Sequence, residues 1–159
     1  MIKRFFLFWV AAMLCVAACA QSLTPITWGA YGLTFKAPKG ILIEDDSDYD
    51  FLLNNARFYI SIHSLESDDM DVNELGELDD VLKTLADEDE VKEQTEITSF
   101  DLKQFHGVWL KGLVHEEERC YCSCLMTKDA GSVFYISVIY NQVDDGIVKT
   151  MLKSFEMEE

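Results

Sequence analysis

Eight consecutive residues, Val133-Phe-Tyr-Ile-Ser-Val-Ile-Tyr140, are β-branched or aromatic except for Ser137. A run of that composition without polar alternation predicts a strand buried on both faces. Such a strand needs a partner on each edge and a covering layer on each side, so it constrains the chain more than any other stretch. The five residues before it, Lys128-Asp-Ala-Gly-Ser132, read as a hairpin loop with Gly131 free to take a positive φ. The partner strand is then Arg119-Cys-Tyr-Cys-Ser-Cys-Leu-Met126. Its period is two, with Cys120, Cys122, Cys124 and Met126 on one face and Tyr121, Ser123 and Leu125 on the other.

Residues i and i+2 of a strand stand about 6.5–7 Å apart. A disulfide needs about 3.5–4.5 Å between Cβ atoms. Cys120, Cys122 and Cys124 therefore do not pair with one another in a regular strand, and two readings remain for them. One is three small hydrophobes filling a core face, since free cysteine is among the most buried residue types. The other is a thiolate metal site or a redox site, in which only His63, His106 or His115 could complete the ligand set, His115 being the candidate kept.

The rest of the chain reads as cover for this hairpin. Residues 21–27, with Pro25, read as a short polar linker, and Trp28–Phe35 as a strand broken by Pro38-Lys39-Gly40. Ile41–Glu44 starts another strand, and Asp45–Asp50 reads as a loop. Phe51–Leu53 and Arg57–His63 form a hairpin about Asn54-Asn55, with Phe58, Ile60 and Ile62 on one face and Tyr59, Ser61 and His63 on the other. A first helix is expected over Asp71–Glu90, capped by Asp71 with Glu74 at the capping-box spacing and striped by Leu75, Leu78, Leu82 and Leu85. The acids Asp87–Glu90 oppose the helix dipole at its C-terminal end and predict fraying there. Glu96–Phe105 reads as a strand, His106-Gly107 as a turn, and Val108–His115 as the strand leading through Glu116–Glu118 into the central hairpin. Asp144 is expected to cap a last helix, Asp145–Glu156, whose stripe is Ile147, Val148, Met151, Leu152 and Phe155.

Strands, helix, strands, helix, with one strand buried on both faces, predict an α+β chain folded as a three-layer α/β/α sandwich. Its central sheet is largely antiparallel and carries two main helices. The pattern resembles the PsbP-like superfamily of sandwich domains, through an opening "YGLTFKAPKG", a hairpin "RFYISIHSLE", a helix, a "HGVWLKG" strand and a closing helix ending "LKSF". The likeness spans roughly residues 28–155 as pattern. It implies a domain that binds other proteins; none of the quoted segments marks a site residue of the superfamily.

Residues 1–20 read as an export signal: Lys3 and Arg4, then the apolar Phe5–Cys15, then small residues. The apolar run is shorter than a membrane-spanning helix needs. Two processing routes fit. Ala18-Cys19-Ala20 before Gln21 matches a signal-peptidase site, and Val16-Ala17-Ala18-Cys19 resembles a bacterial lipobox that would place a lipid on Cys19. Residues 28–159 are then a single domain, periplasmic, anchored or extracellular, that meets a membrane only through Cys19.

The chain has 159 residues and a net charge of −16. Loss of Lys3 and Arg4 with the signal takes it to −18. That charge argues against nucleic acid and anionic headgroups as partners. No nucleophile elbow, paired-histidine zinc motif, C-x-x-C or phosphate loop is present, and no cofactor is implied. The alternating acids Asp46, Asp48 and Asp50, and Asp69, Asp71 and Asn73, lack the glycine and glutamate positions of an EF-hand. Trp28 and Trp109 read as core or as interface anchors. The expectation is an exported, non-enzymatic module whose partner is another protein or an envelope component. The rivals are a metal- or thiol-linked protein using Cys120, Cys122 and Cys124, and a small hydrolase.

Overall fold

In a computed structural model the described residues are 22–65 and 78–159. Cys19 and Gln21, the acids Asp69 and Asp71, Asn73, and the expected cap and first turn of the first helix lie outside them. The described chain runs β1 (Leu23–Trp28), β2 (Leu33–Pro38), β3 (Leu42–Asp46), β4 (Asp50–Asn54), β5 (Phe58–Ser64), α1 (Leu78–Glu88), β6 (Thr98–Asp101), β7 (Phe105–Val114), β8 (Glu118–Thr127) and β9 (Val133–Tyr140). A short 3₁₀ turn, Gln142–Asp144, leads to α2 (Asp145–Leu152), and β10 (Glu156–Met157) is the last element.

Seven strands form one sheet in the order β3-β4-β5-β9-β8-β7-β6, every pair antiparallel. The apolar run 133–140 is its middle strand, as its composition requires. One face, with Cys120, Cys122, Cys124, Val108 and Leu110, packs under α1 through Leu78, Leu82 and Ala86. The other face, with Tyr121, Leu125, Phe134, Ile136 and Val138, packs under α2 and the small sheet β1-β2-β10. The result is the expected α+β, three-layer arrangement, with two helices on opposite faces of a mostly antiparallel sheet.

Several local expectations are corrected. Residues 23–28 are strand, not linker, because Leu23–Trp28 pairs antiparallel with Leu33–Pro38 along its whole length. Trp28 is wholly buried, stacks on Phe51 at 5.9 Å and donates its indole N–H to the Ser47 carbonyl at 2.8 Å, so it is core. His106 and Gly107 are not a turn. They lie inside β7, pairing with Asp101 and Phe100, and the chain reverses at 102–104 instead. Glycine is required there because the Phe100 ring occupies the space of a residue-107 side chain.

The first helix ends at Glu88 in a defined cap, not a frayed end. Glu90 takes φ 57°, its N–H meets the Asp87 carbonyl, and the Val91 N–H returns to the Ala86 carbonyl at 2.9 Å. This is a Schellman closure with Val91 as its apolar contact. Residues 91–95 then run antiparallel along the edge of β7. The Lys92 and Leu113 backbones exchange hydrogen bonds at 2.7 and 2.8 Å. Gly112 permits this close approach, since a Cβ there would fall 2.3 Å from Val91 Cγ1.

The last helix stops at Leu152 rather than Glu156. Ser154 accepts the Lys36 N–H at 2.8 Å, Phe155 folds back to stack on Phe35 at 4.7 Å, and Glu156–Met157 joins β2. Asp144 holds the N-cap position but makes no side-chain cap. Its carboxylate, 1% exposed, is taken instead by the Arg57 guanidinium, whose Nε lies 3.2 Å from Oδ2.

Candidate functional site

The polar chemistry of the described residues concentrates on the α2 face, where β7, β8, β9 and the first turn of α2 converge. The strand period places Trp109 and Lys111 of β7, Tyr121 of β8 and Tyr140 of β9 on this face. The helix start places Asp145 above them. Asp145 Oδ1 accepts both phenol hydroxyls, Tyr121 and Tyr140, at 3.0 Å and meets the Lys111 ammonium at 2.7 Å. Lys149, one helical turn on, reaches Oδ2 at 3.5 Å. Lys111 also lies 5.1 Å from the centre of the Tyr121 ring, and Lys149 6.0 Å from that of Trp109. Trp109, Tyr121 and Tyr140 form a chain of rings with centres 5.1 and 5.4 Å apart.

Burial alone would raise the Asp145 carboxyl. Hydrogen bonds from Lys111, Tyr140 and Tyr121 outweigh it and hold the group at about 2. Both tyrosine hydroxyls are pushed up, by burial first and then by the carboxylate they bond. The constellation is an anion surrounded by donors.

Two depressions flank it. The larger, about 330 Å³, lies over the ends of β5, β8 and β9 and is lined by Asn54, Arg57, Glu118, Arg119 and Tyr140 among others. The smaller, about 230 Å³, lies at the β6–β7 edge beside α2. Its walls are Thr98, Ser99, Phe100, Trp109, Lys149, Leu152 and Lys153. Trp109 is half-buried here, so it serves the surface as well as the core.

Cys120, Cys122 and Cys124 are free thiols with no measurable exposure, in the layer under α1. The Cys120 thiol is raised by its hydrogen bond to Cys122 and by burial, and Cys124 by burial. Beside them the Tyr135 hydroxyl donates to Asp89 Oδ2 at 2.6 Å. His115 stands in the turn after β7 at φ 46°. Among the described residues no three His, Cys, Asp or Glu groups gather where a metal ion would sit. The sequence candidates for a metal site are therefore not brought together. His63 pairs with Asp50, and His106 with Asp101 at 2.7 Å, each on a partly exposed strand.

The Asp145 constellation is absent from the sequence-based reading. Its only local signal is the i, i+4 spacing of Asp145 and Lys149. Lys111, Tyr121 and Tyr140 come to it from three strands whose register the sequence does not state.

This architecture is the PsbP-like fold. Over 87% of this chain and 96% of the other, it matches the Ran-binding protein Mog1p of Saccharomyces cerevisiae, with a TM-score of 0.59 and 9% identity. It matches the cyanobacterial PsbP, CyanoP, of Synechocystis sp. PCC 6803 over 87% and 94% of the two chains, with a TM-score of 0.57 and 18% identity. At those identities the likeness is one of fold. The chain belongs to the dihydro-orotase-like family, whose model matches residues 10–144. Among curated proteins no sequence matches it. No helix among the described residues is long and apolar enough to cross a membrane.

Proposed function

We propose that this protein is an exported, non-enzymatic binding module whose partner is another protein of the cell envelope. The observation that carries the reading is the Asp145 constellation. The buried hydroxyls of Tyr121 and Tyr140 and the Lys111 ammonium lock one carboxylate, and with Lys149 one turn on and the half-buried Trp109 this fixes a charged surface beside two depressions. Preorganised aromatic and cationic side chains are what protein recognition uses at its hot spots. The fold match supports the reading, because Mog1p is named for binding another protein. Residues 1–20 support export, with Cys19 or Gln21 as the new N-terminus.

The test is capture from envelope extracts on immobilised protein, wild type beside Trp109→Ala. Recovery of one protein by the wild type that the variant loses supports the proposal. Recovery of nothing above background overturns it. Mass spectrometry of the protein from its own cell tests export. A diacylated Cys19 gives an anchored form, a free or cyclised Gln21 a soluble one, and an intact Met1 overturns export.

A hydrolase is the second reading, favoured by the family description alone. Opening of the dihydro-orotate ring by the purified protein, lost on substitution of residues lining either depression, would establish it.

A further inference from the structure

The smaller depression at the β6–β7 edge differs from its surroundings in charge. The chain carries a net −16, yet the two charged residues lining this depression are both lysines. Phe100, Trp109 and Leu152 supply apolar walls, and Thr98, opposite Trp109 in the ladder, adds a hydroxyl. Lys149 and Lys153 stand four residues apart across the end of α2, the spacing at which like charges on a helix oppose one another. Lys149 is held only at 3.5 Å by Asp145 Oδ2, a carboxylate oxygen outside the tight cluster on Oδ1. An anion seated between the two ammonium groups turns their repulsion into attraction.

We propose that this depression is a binding site for a small aromatic monocarboxylate. The ring packs against Phe100, Trp109 and Leu152, the carboxylate bridges Lys149 and Lys153, and Thr98 donates to its second oxygen. At about 230 Å³ the site is smaller than pockets that enclose drug-sized ligands, which run from about 300 Å³ upward. One ring with one short acidic arm is the size class that fits. The aromatic walls select against acetate-like anions, and the lysines select against uncharged rings. An acidic protein surface repels anions at long range, so binding is expected to tighten as salt rises from very low levels. The inference goes beyond the protein-partner reading and stands on the depression alone.

The test is titration of the protein with benzoate, benzamide and acetate, followed through the ring resonances of Trp109 and Phe100. Saturable benzoate binding, about tenfold tighter than benzamide or acetate, is expected. Lys153→Met, at an exposed position after the helix, should weaken benzoate about tenfold at unchanged melting temperature, and Lys153→Arg should restore most of it. Lys103→Met, a charge change away from the depression, should leave the affinity unchanged. Equal binding of benzoate and benzamide, equal weakening by Lys103→Met, or shifts that leave Trp109 and Phe100 still would each overturn the proposal.

Discussion

The ring of Phe100 sits where any other residue at position 107 would place its Cβ. An ideal Cβ on Gly107 would lie 2.5 Å from Phe100 Cζ. The two residues face each other across the β6–β7 ladder, so the missing side chain of one seats the other. Gly107→Ala is expected to expel the ring and destabilise the protein by about 1–3 kcal/mol, read by urea denaturation. Because Phe100 is a wall of the smaller depression, the same variant should weaken benzoate binding. Phe100→Leu in the Gly107→Ala background should recover part of the stability, since the smaller side chain gives the new methyl room. Equal stabilities of Gly107→Ala and wild type would count against this account.

Arg57 and Asp144 join the start of β5 to the entry of α2. The carboxylate is 1% exposed, and the guanidinium about a third exposed. Removal of Arg57 leaves a buried charge uncompensated. Loss of one partner from a buried pair costs about 3–5 kcal/mol, and the partly exposed guanidinium places Arg57→Met at the low end. The double variant Arg57→Met, Asp144→Leu should be more stable than Arg57→Met alone. A thermal melt in which the single and double variants coincide would rule out the pair as the cause.

The layers of this fold were legible because each rests on a local pattern. The all-apolar 133–140 run announced the middle strand, the alternation in 119–126 its neighbour, and Leu78, Leu82 and Leu85 the helix stripe. The errors fell where a tertiary contact overrides local preference. Gly107 looks like a turn until Phe100 is placed over it, and Asp144 looks like a cap until Arg57 claims its carboxylate. Residues 23–27 look like a linker because Thr24, Pro25 and Thr27 are polar or strand-averse, yet an outer strand of a small sheet tolerates them. The Asp145 constellation needs register across three strands plus a helix start, and no period in the sequence carries that.

Asp145 makes stability depend on acid. Its carboxyl is held at about 2, against an ordinary value of 3.8. A folded-state value below the unfolded one contributes stability that is fully present above the unfolded value. That contribution is lost as pH falls through the folded value. Between about pH 5 and pH 1.5 the wild type should lose about 2 kcal/mol more than Asp145→Asn does, measured by urea denaturation at each pH. Parallel profiles would show that the Lys111, Tyr121 and Tyr140 bonds do not stabilise the charged form.

Glu90 pays a conformational cost where glycine would not. It closes α1 at φ 57°, and its acid stands at the negative end of the helix dipole. Glu90→Gly should raise stability by about 0.5–1 kcal/mol, the left-handed penalty less the entropy that glycine adds to the unfolded chain. Glu90→Val, β-branched and ill-suited to positive φ, should lower it. A melting temperature that ranks Val above Gly would refute the Schellman assignment.

The three thiols give the sharpest separation between a packing role and a chemical one. Cys120, Cys122 and Cys124 face α1 without exposure, and Leu110 and Ser137 flank Cys122 on either side. As core hydrophobes they should resist a thiol reagent in the native protein and all react once it is unfolded. Cys122→Ser places a stronger hydrogen-bonding group in that layer and should cost about 1–3 kcal/mol. Cys122→Ala leaves only a small cavity and should cost less. A thiolate metal site predicts another ranking, because serine and alanine remove the same ligand and should destabilise alike, and a chelator should then lower the melting temperature of the wild type. Rapid labelling of all three thiols in the native state, with no chelator effect, would defeat both roles and place this face of β8 in solvent.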